Sequence, residues 1–240
     1  MEKVTTGDIL LFGNNTLTGF LLKTFTLSDW SHAGIAVRLK DGKVVKEGGR
    51  LGVIEMNSGK RKDMLTGSIK DGFGISEIEF SCSEQDIVAV RKLKSQAVEQ
   101  DTLINRTTSF LEQAAAVKFP ETSLPFVEVW MERRLSDSEQ TNEMICSEMM
   151  GHYYLHLFMG CDLRDIFGKK AAPVAKLMGP YHFDNRITSD SRYFENEVKT
   201  VHLGKMDTSI LVQPVILALF LGAIFLTLTR QEDPEQASLK

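Results

Sequence analysis

Short runs of alternating or continuous apolar residues dominate the first 93 residues of the chain, and this spacing is typical of β-strands. A clear example is HAGIAVR, in which Ala33, Ile35 and Val37 alternate with small or charged residues. Asp41-Gly42 adds the signal of a tight hairpin turn between two such runs. The predicted strands lie at 7–12, 33–38, 41–45, 51–57, 74–80 and 86–93.

At 15–25, and again later in the chain, the apolar residues recur at helical spacing instead, and three helices are predicted. These helices lie at 15–25, 95–117 and 144–160. Residues 118–143 and 161–207 are expected to be loops with short elements. Because most strands come first and most helices later, the order predicts an α+β domain with an antiparallel sheet and packed helices.

One segment departs from both patterns, because residues 210–228 (ILVQPVILALFLGAIFLTL) carry no charge over 19 positions. That length is close to the ~20 apolar residues needed to cross a bilayer. The alternative is a buried core helix, but the segment lacks a polar face. We therefore expect a domain at 1–207, one transmembrane helix at 208–230 and a short polar tail at 231–240. A membrane anchor this late in the chain inserts after synthesis, so the domain is expected in the cytosol.

Composition narrows the classes of function. The 28 Lys and Arg residues against 32 Asp and Glu give a net charge of −4, and the pI is near 5.8. This chain has no basic footprint for nucleic acid, so no nucleic-acid partner is expected. The opening MEKVTTGDIL is polar, and three cysteines cannot all pair internally, so we expect reduced thiols in a cytosolic setting.

Cys146 is the candidate nucleophile among the three cysteines. It is predicted in the first turn of the helix at 144–160, where unpaired N–H groups and the helix dipole stabilise a thiolate. Cys82 is predicted in a turn between strands, and Cys161 at the end of that helix where the dipole disfavours a thiolate. Both are expected to be incidental. A small buried hydrophobic residue is the alternative for Cys146.

A nucleophilic thiol needs a base, and the base needs a group that orients it. His32 is predicted at the mouth of the strand at 33–38, and Glu55 on the strand at 51–57. Neighbouring strands can bring an imidazole and a carboxylate within hydrogen-bonding reach. Two alternatives stay open at this point: His32 as a structural residue at a strand end, and Glu55 as a solvent-facing residue.

Four motifs in this order, GDILLF, WSHAGIAV, VIEMN and ICSEMM, resemble the circularly permuted NlpC-type papain-like cysteine hydrolases. That group includes the bacterial YiiX-like proteins and the poxvirus G-six-type proteins. The resemblance covers roughly residues 5–160 and implies a permuted papain-like fold. It implies Cys146 as nucleophile, His32 as general base and Glu55 as the residue that holds the imidazole, in a thiol peptidase or amidase without a cofactor. The long stretch between Glu55 and Cys146 and the apolar segment after residue 208 depart from the family's pattern.

Two other functions stay open. Lecithin–retinol acyltransferase-like proteins share the permuted arrangement, and several carry a C-terminal membrane helix, so the substrate would be a lipid. They usually place a second histidine where this chain has Glu55, which favours the hydrolase. The third function is that of a membrane-anchored adaptor without activity.

A metal site is a weaker alternative. His152 and His156 share a helix face with Glu148 and could bind zinc, but Tyr153 stands where the metalloprotease pattern requires glutamate. We predict no metal and expect the two histidines to line a wet helix face.

Overall fold

The computed structural model describes residues 3–14, 16, 19, 23, 28–83, 85, 87–120, 143–184 and 191–203. The strands are β1 (Ile9–Gly13), β2 (His32–Lys40), β3 (Lys43–Val45), β4 (Arg50–Lys62), β5 (Ile69–Glu77), β6 (Ile87–Leu93) and β7 (Phe194–Leu203). The α-helices are α1 (Ile78–Ser83), α2 (Gln100–Ala114), α3 (Cys146–Leu157) and α4 (Leu163–Phe167). Two 3-10 turns follow at Ala175–Leu177 and Pro180–Phe183.

The strands form one antiparallel sheet in the order β5-β4-β2-β1-β6-β7, and β3 pairs with the far end of β2. The predicted α+β class with an antiparallel sheet is therefore confirmed. The predicted hairpin turn is also present, because Asp41 and Gly42 both have positive φ, 52° and 73°. Two such residues form the turn that matches the twist of paired strands.

Both faces of the sheet centre are covered, which explains why β1 reads as an unbroken apolar run with all five residues buried. Leu11, Ile35 and Met56 belong to the core cluster that includes α2 and α3. On the other face, Leu10 and Val53 pack with residues of α1. Helix α3 packs against β2 and β4, so its N-terminus lies beside the sheet.

The Gly-Asp opening of β1 has a structural role. The carboxylate of Asp8 accepts hydrogen bonds from the N–H groups of Thr5 (2.7 Å) and Leu93 (2.9 Å). The Gly7 carbonyl accepts a hydrogen bond from the Tyr154 hydroxyl of α3 at 2.9 Å. This contact ties α3 to the start of β1 and helps to fix the position of the helix.

The structure differs from the sequence-based prediction at three points. The strand predicted at 74–80 ends at Glu77, where the pairing of β5 with β4 stops, and α1 follows. Ile78 and Cys82 are four residues apart and both buried, as on one helix face, so Cys82 lies in α1 and not in a turn. Strand β7 was not predicted, because it pairs only at the sheet edge and carries exposed charges.

Several predictions concern residues outside the described ranges. These are most of the helix at 15–25, most of the loop at 118–143, and the boundary, transmembrane helix and tail at 207–240. Within the part of the chain that the structure describes, no helix combines the length and apolar character needed to span a membrane.

Candidate active site

His32 is the first residue of β2, where the strand joins the sheet. It pairs with Phe12 of β1, and the Ser31 N–H donates to the Phe12 carbonyl at 2.9 Å. The Ser31 hydroxyl lies 3.3 Å from the Asn14 N–H, which donates to it. Ser31 therefore fixes the entry of the chain into β2, and the imidazole of His32 stands at the strand end with 18% of the side chain exposed.

Sheet register brings His32 and Glu55 to the same face. Ile35 of β2 pairs with Ile54 of β4, so by alternation residues 32 and 34 share a face with residue 55. The His32 Nε2–H donates to Glu55 Oε2 at 2.9 Å. The Glu55 side chain is 2% exposed, so the alternative in which it faces solvent is wrong.

Glu55 is buried as a charged group because several donors surround it. Arg61 Nη1 donates to Oε1 at 2.9 Å, and the Ser81 hydroxyl donates to the same oxygen at 3.2 Å. Burial alone would raise the pKa of Glu55, but the hydrogen bond and charge of His32, the charge of Arg61 and the Ser76 hydroxyl lower it from 4.5 to about 2. The carboxylate is ionised at neutral pH.

Cys146 is the first residue of α3, as predicted, and is buried. Ile145 before it is extended, with φ −86° and ψ 166°, and no side chain caps the helix. The N–H groups of the first turn are thus available to the sulfur. Burial opposes ionisation, but the charge and hydrogen bond of His32 and the backbone N–H groups of Ala33 and Ser147 lower the pKa of the Cys146 thiol.

The imidazole of His32 is the group that interacts with both Glu55 and Cys146. With Nε2 engaged by Glu55, Nδ1 is the ring nitrogen left to exchange a proton with the Cys146 thiol. Burial alone would lower the pKa of His32, but the Cys146 thiolate and the Glu55 carboxylate raise it from 6.5 to about 10. A raised imidazole pKa beside a lowered thiol pKa favours the thiolate–imidazolium pair near neutral pH.

The other two cysteines have different surroundings. Cys82 is buried in α1, and burial together with the charges of Glu79 and Glu55 raises its pKa to about 11. Cys161 is half-buried and lies beyond the end of α3 at Leu157, with its sulfur 3.1 Å from the Tyr193 hydroxyl. Neither sulfur has the helix N-terminus and imidazole that surround Cys146.

Sequence reasoning missed Arg61 and Ser81. A signal for Arg61 was present, because residues 55 and 61 are an even number of positions apart on one strand and a buried carboxylate needs a cation. Ser81 had no such signal, since the alternation at 74–80 predicted a strand where α1 begins. Without that helix, nothing placed the Ser81 hydroxyl beside Glu55.

Metal ligation has little support in the described ranges, where no group of three or more His, Cys, Asp or Glu side chains is arranged to hold an ion. His152 and His156 are half-buried, and burial lowers the pKa of His152. His156 packs against Phe110 of α2, with ring centroids 6.0 Å apart. The expected wet face is therefore wrong for His156.

Comparisons with known proteins reveal similarity at the level of structure. No family model matches the sequence, and no curated protein matches it significantly. Among solved structures, the chain is similar to the metalloprotein YiiX from Escherichia coli O157:H7, described as DUF1105. The two sequences are 13% identical, and the alignment covers 84% of this chain and 98% of that chain with a TM-score of 0.49. At this identity no residue role is carried from that protein to this one.

Proposed function

We propose that this protein is a membrane-anchored cysteine hydrolase that cleaves an amide or ester bond through Cys146, His32 and Glu55. The observation that carries the proposal is the 2.9 Å hydrogen bond between His32 and the buried Glu55 carboxylate, next to a buried Cys146 thiol whose pKa is lowered by the charge of His32. The chain order of the three residues, with the cysteine last, supports the permuted NlpC-type papain-like arrangement. The charge-free segment at 210–228 supports the anchor.

Acylation begins when the Cys146 thiolate attacks the carbonyl carbon, a C–S bond forms, and the carbonyl π electrons move to the oxygen. Unpaired N–H groups in the first turn of α3 are the expected donors to this oxyanion. The tetrahedral intermediate then collapses, and the C–N or C–O bond breaks. The leaving group takes the proton of the His32 imidazolium, which leaves a thioester on Cys146.

Hydrolysis of the thioester uses the neutral imidazole as a base. A water molecule gives one proton to His32 while its oxygen attacks the thioester carbon. Collapse of the second intermediate breaks the C–S bond, releases the carboxylic acid and restores the thiolate and imidazolium. Throughout both halves, Glu55 holds the Nε2–H of the ring and stabilises its positive charge.

To test this proposal, the full-length protein is exposed to activated esters and to peptide amides and is then analysed by mass spectrometry. We expect an acyl adduct on Cys146 that is absent in Cys146→Ala and retained in the control Cys161→Ala. His32→Ala should reduce turnover by about 10³-fold or more, and the Cys146→Ala/His32→Ala double variant should cost little beyond either single change. An adduct on Cys161, or losses of turnover that add up in the double variant, would contradict the proposal. The absence of an adduct with every donor would also contradict it and would favour the adaptor.

A lipid-directed acyltransferase or phospholipase is the second candidate, and the charge-free segment at 210–228 favours it, because a membrane anchor would hold the site near lipid. Formation of the Cys146 adduct only from phospholipid vesicles, and not from peptide amides, would select this candidate.

A further inference from the structure

Arg61 is a charged residue at the candidate site that the proposed reaction does not use. Its Nη1 donates to Glu55 Oε1 at 2.9 Å, while Oε2 of the same carboxylate accepts from His32. The Arg61 side chain is only 14% exposed. Glu55 therefore bridges two cations, and a row of four groups runs from Arg61 through Glu55 and His32 to Cys146.

Two features of the fold direct Arg61 towards Glu55. Between Asn57 and Arg61, β4 advances four residues while β5 advances two, from Gly72 to Lys70. Such irregularities in a sheet re-aim the side chains next to them. The guanidinium carbon then lies 4.9 Å from the ring centroid of Phe80 on α1. Stacking on an aromatic ring holds the planar guanidinium in place.

We propose that Arg61 is a positioning residue of the Cys146 site, fixing Glu55 and giving the row zero net charge when thiolate and imidazolium form. This inference rests on the proposed function and adds a group that regulates the pH range of the same site. The ionised row alternates in sign: Arg61 positive, Glu55 negative, His32 positive, Cys146 negative. Without Arg61 the same ionised state would carry one uncompensated negative charge in a buried region, which is costly.

The sign of the effect on proton binding follows from this count. Removing a cation raises the proton affinity of each nearby group, so the pKa of the Cys146 thiol and of the His32 imidazolium should both rise. The pH range over which the thiolate–imidazolium pair exists should therefore move upward as a whole. Loss of a purely structural contact would reduce the amount of folded protein without moving that range.

Other charged or titratable groups face the row from the elements packed around it. They are Lys62 and Asp63 after the irregular part of β4, Lys70 on β5, and Glu79 and Cys82 on α1. Glu148 is buried in the first turn of α3. Lys70 Nζ is paired with Asp63 Oδ2 at 3.7 Å. These groups are the same in the wild type and in all variants below, so they do not account for a difference between them.

The experiment measures the pH dependence of iodoacetamide alkylation at Cys146 by peptide-resolved mass spectrometry, in the full-length protein. The acid limb of the profile is the range in which alkylation speeds up as the Cys146 thiol loses its proton. Arg61→Gln should move this limb up by about one pH unit, so that alkylation at a fixed pH on the limb becomes about tenfold slower. Arg61→Lys should return the limb most of the way, because the charge remains. The control Arg50→Gln should leave it unchanged, because Arg50 forms an exposed pair with Glu77 on the same strand pair.

Failure of the inference is distinguishable from failure of the proposed function. A wild-type acid limb well below that of Cys161, with no shift in Arg61→Gln, would overturn the role of Arg61 and leave the hydrolase standing. A wild-type limb equal to that of Cys161 would overturn both. Should Arg61→Gln not fold, the comparison moves to a Glu55→Gln background, which leaves no buried carboxylate unpaired. There the added loss of Arg61 must raise the limb, and an unchanged limb would overturn the inference.

Discussion

Glu55 is the residue whose charge state has the largest consequence for stability. Its side chain is 2% exposed, and two cations and two hydroxyls surround it. The folded-state pKa of about 2 lies below the ordinary value of 4.5. A lowered carboxyl pKa contributes stability above the unfolded value, and that contribution is lost as the pH falls through the folded value. The window for Glu55 therefore runs from about pH 4.5 down to about pH 2.

The effects of His32 and Cys146 on the pH dependence of stability partly cancel, because one group gains a proton on folding and the other loses one. The imidazole pKa is raised from 6.5 and the thiol pKa is lowered from 9.0. Where the pair is ionised between those two values, the folded state holds one proton on His32, and the unfolded state holds one on Cys146. Equal proton numbers give no slope of stability with pH. Below pH 6.5 the unfolded histidine binds a proton as well, so the pair adds an acid loss of its own until the folded thiol is protonated. The loss between about pH 4.5 and about pH 2 is the signature of Glu55.

Glu55→Gln should lower the free energy of unfolding by about 3 kcal/mol at pH 6, because it leaves Arg61 and His32 without their shared anion. The difference from the wild type should shrink as the pH falls from about 4.5 towards 2, as the wild-type carboxylate becomes protonated. Urea unfolding at a series of pH values measures both curves.

Glu77→Gln is the matched control for that series. Glu77 forms an exposed pair with Arg50, and such pairs contribute at most about 1 kcal/mol. Its difference from the wild type should be small over the same range. A Glu55→Gln difference that stays constant down to pH 2 would show that the carboxylate is not held ionised by its neighbours.

At the scale of elements, the approach of β2 to β4 decides whether His32 can reach Glu55. Gly34 shares the face of both residues, and a Cβ at this position would lie 2.5 Å from Val53 Cγ1 and 3.1 Å from the Ile54 carbonyl oxygen. Real side chains do not approach so closely. The glycine in the Ser-His-x-Gly motif therefore allows the two strands to lie close beneath the imidazole.

Gly34→Ala should accordingly lower the free energy of unfolding by about 2 kcal/mol, since an extra methyl forces the neighbouring groups to shift. It should also slow alkylation of Cys146, because the His32–Glu55 hydrogen bond depends on the strand spacing. Val53→Ala in the same chain removes the contacting methyl groups. Thermal and urea unfolding of the two single variants and the double variant should give a favourable coupling energy. If the two changes in unfolding free energy simply add, the added methyl group does not clash with Val53.

The elements that carry chemistry could be predicted, and the elements that support them could not. His32 and Cys146 lie at a strand start and a helix start, and local apolar spacing marks such boundaries. Helix α1 was missed because its sequence alternates like a strand, whereas the structure ends the β4–β5 pairing at Gly52–Glu77 and continues as a helix. Arg61 was missed because the strand was predicted to end at residue 57, whereas β4 continues to Lys62 through an irregular stretch of pairing.

At the scale of the whole molecule, the candidate site joins residues far apart in the chain. His32 and Glu55 are 23 positions apart, and Cys146 comes much later, after two further strands and two helices. The order of motifs indicated this grouping through a family resemblance, whereas the distances followed only from the packing of α3 on β2 and β4. All three side chains lie within residues 3–203, ahead of the segment predicted to enter the membrane.

Deletion of residues 208–240 should therefore leave a folded and soluble protein with unchanged alkylation of Cys146. The reason is that the sheet, both of its packed faces and the thiol site are built from residues before that point. Circular dichroism, thermal unfolding and the alkylation rate compare the truncated and full-length chains, and an alkaline wash of membranes tests anchoring.

A full-length Leu219→Arg/Gly222→Arg variant is the control of equal length, since each charge at the centre of the segment raises the free energy of membrane insertion by about 3 kcal/mol. It should leave the membrane fraction as the truncated chain does. A truncated chain that cannot fold would instead assign 210–228 to the protein core.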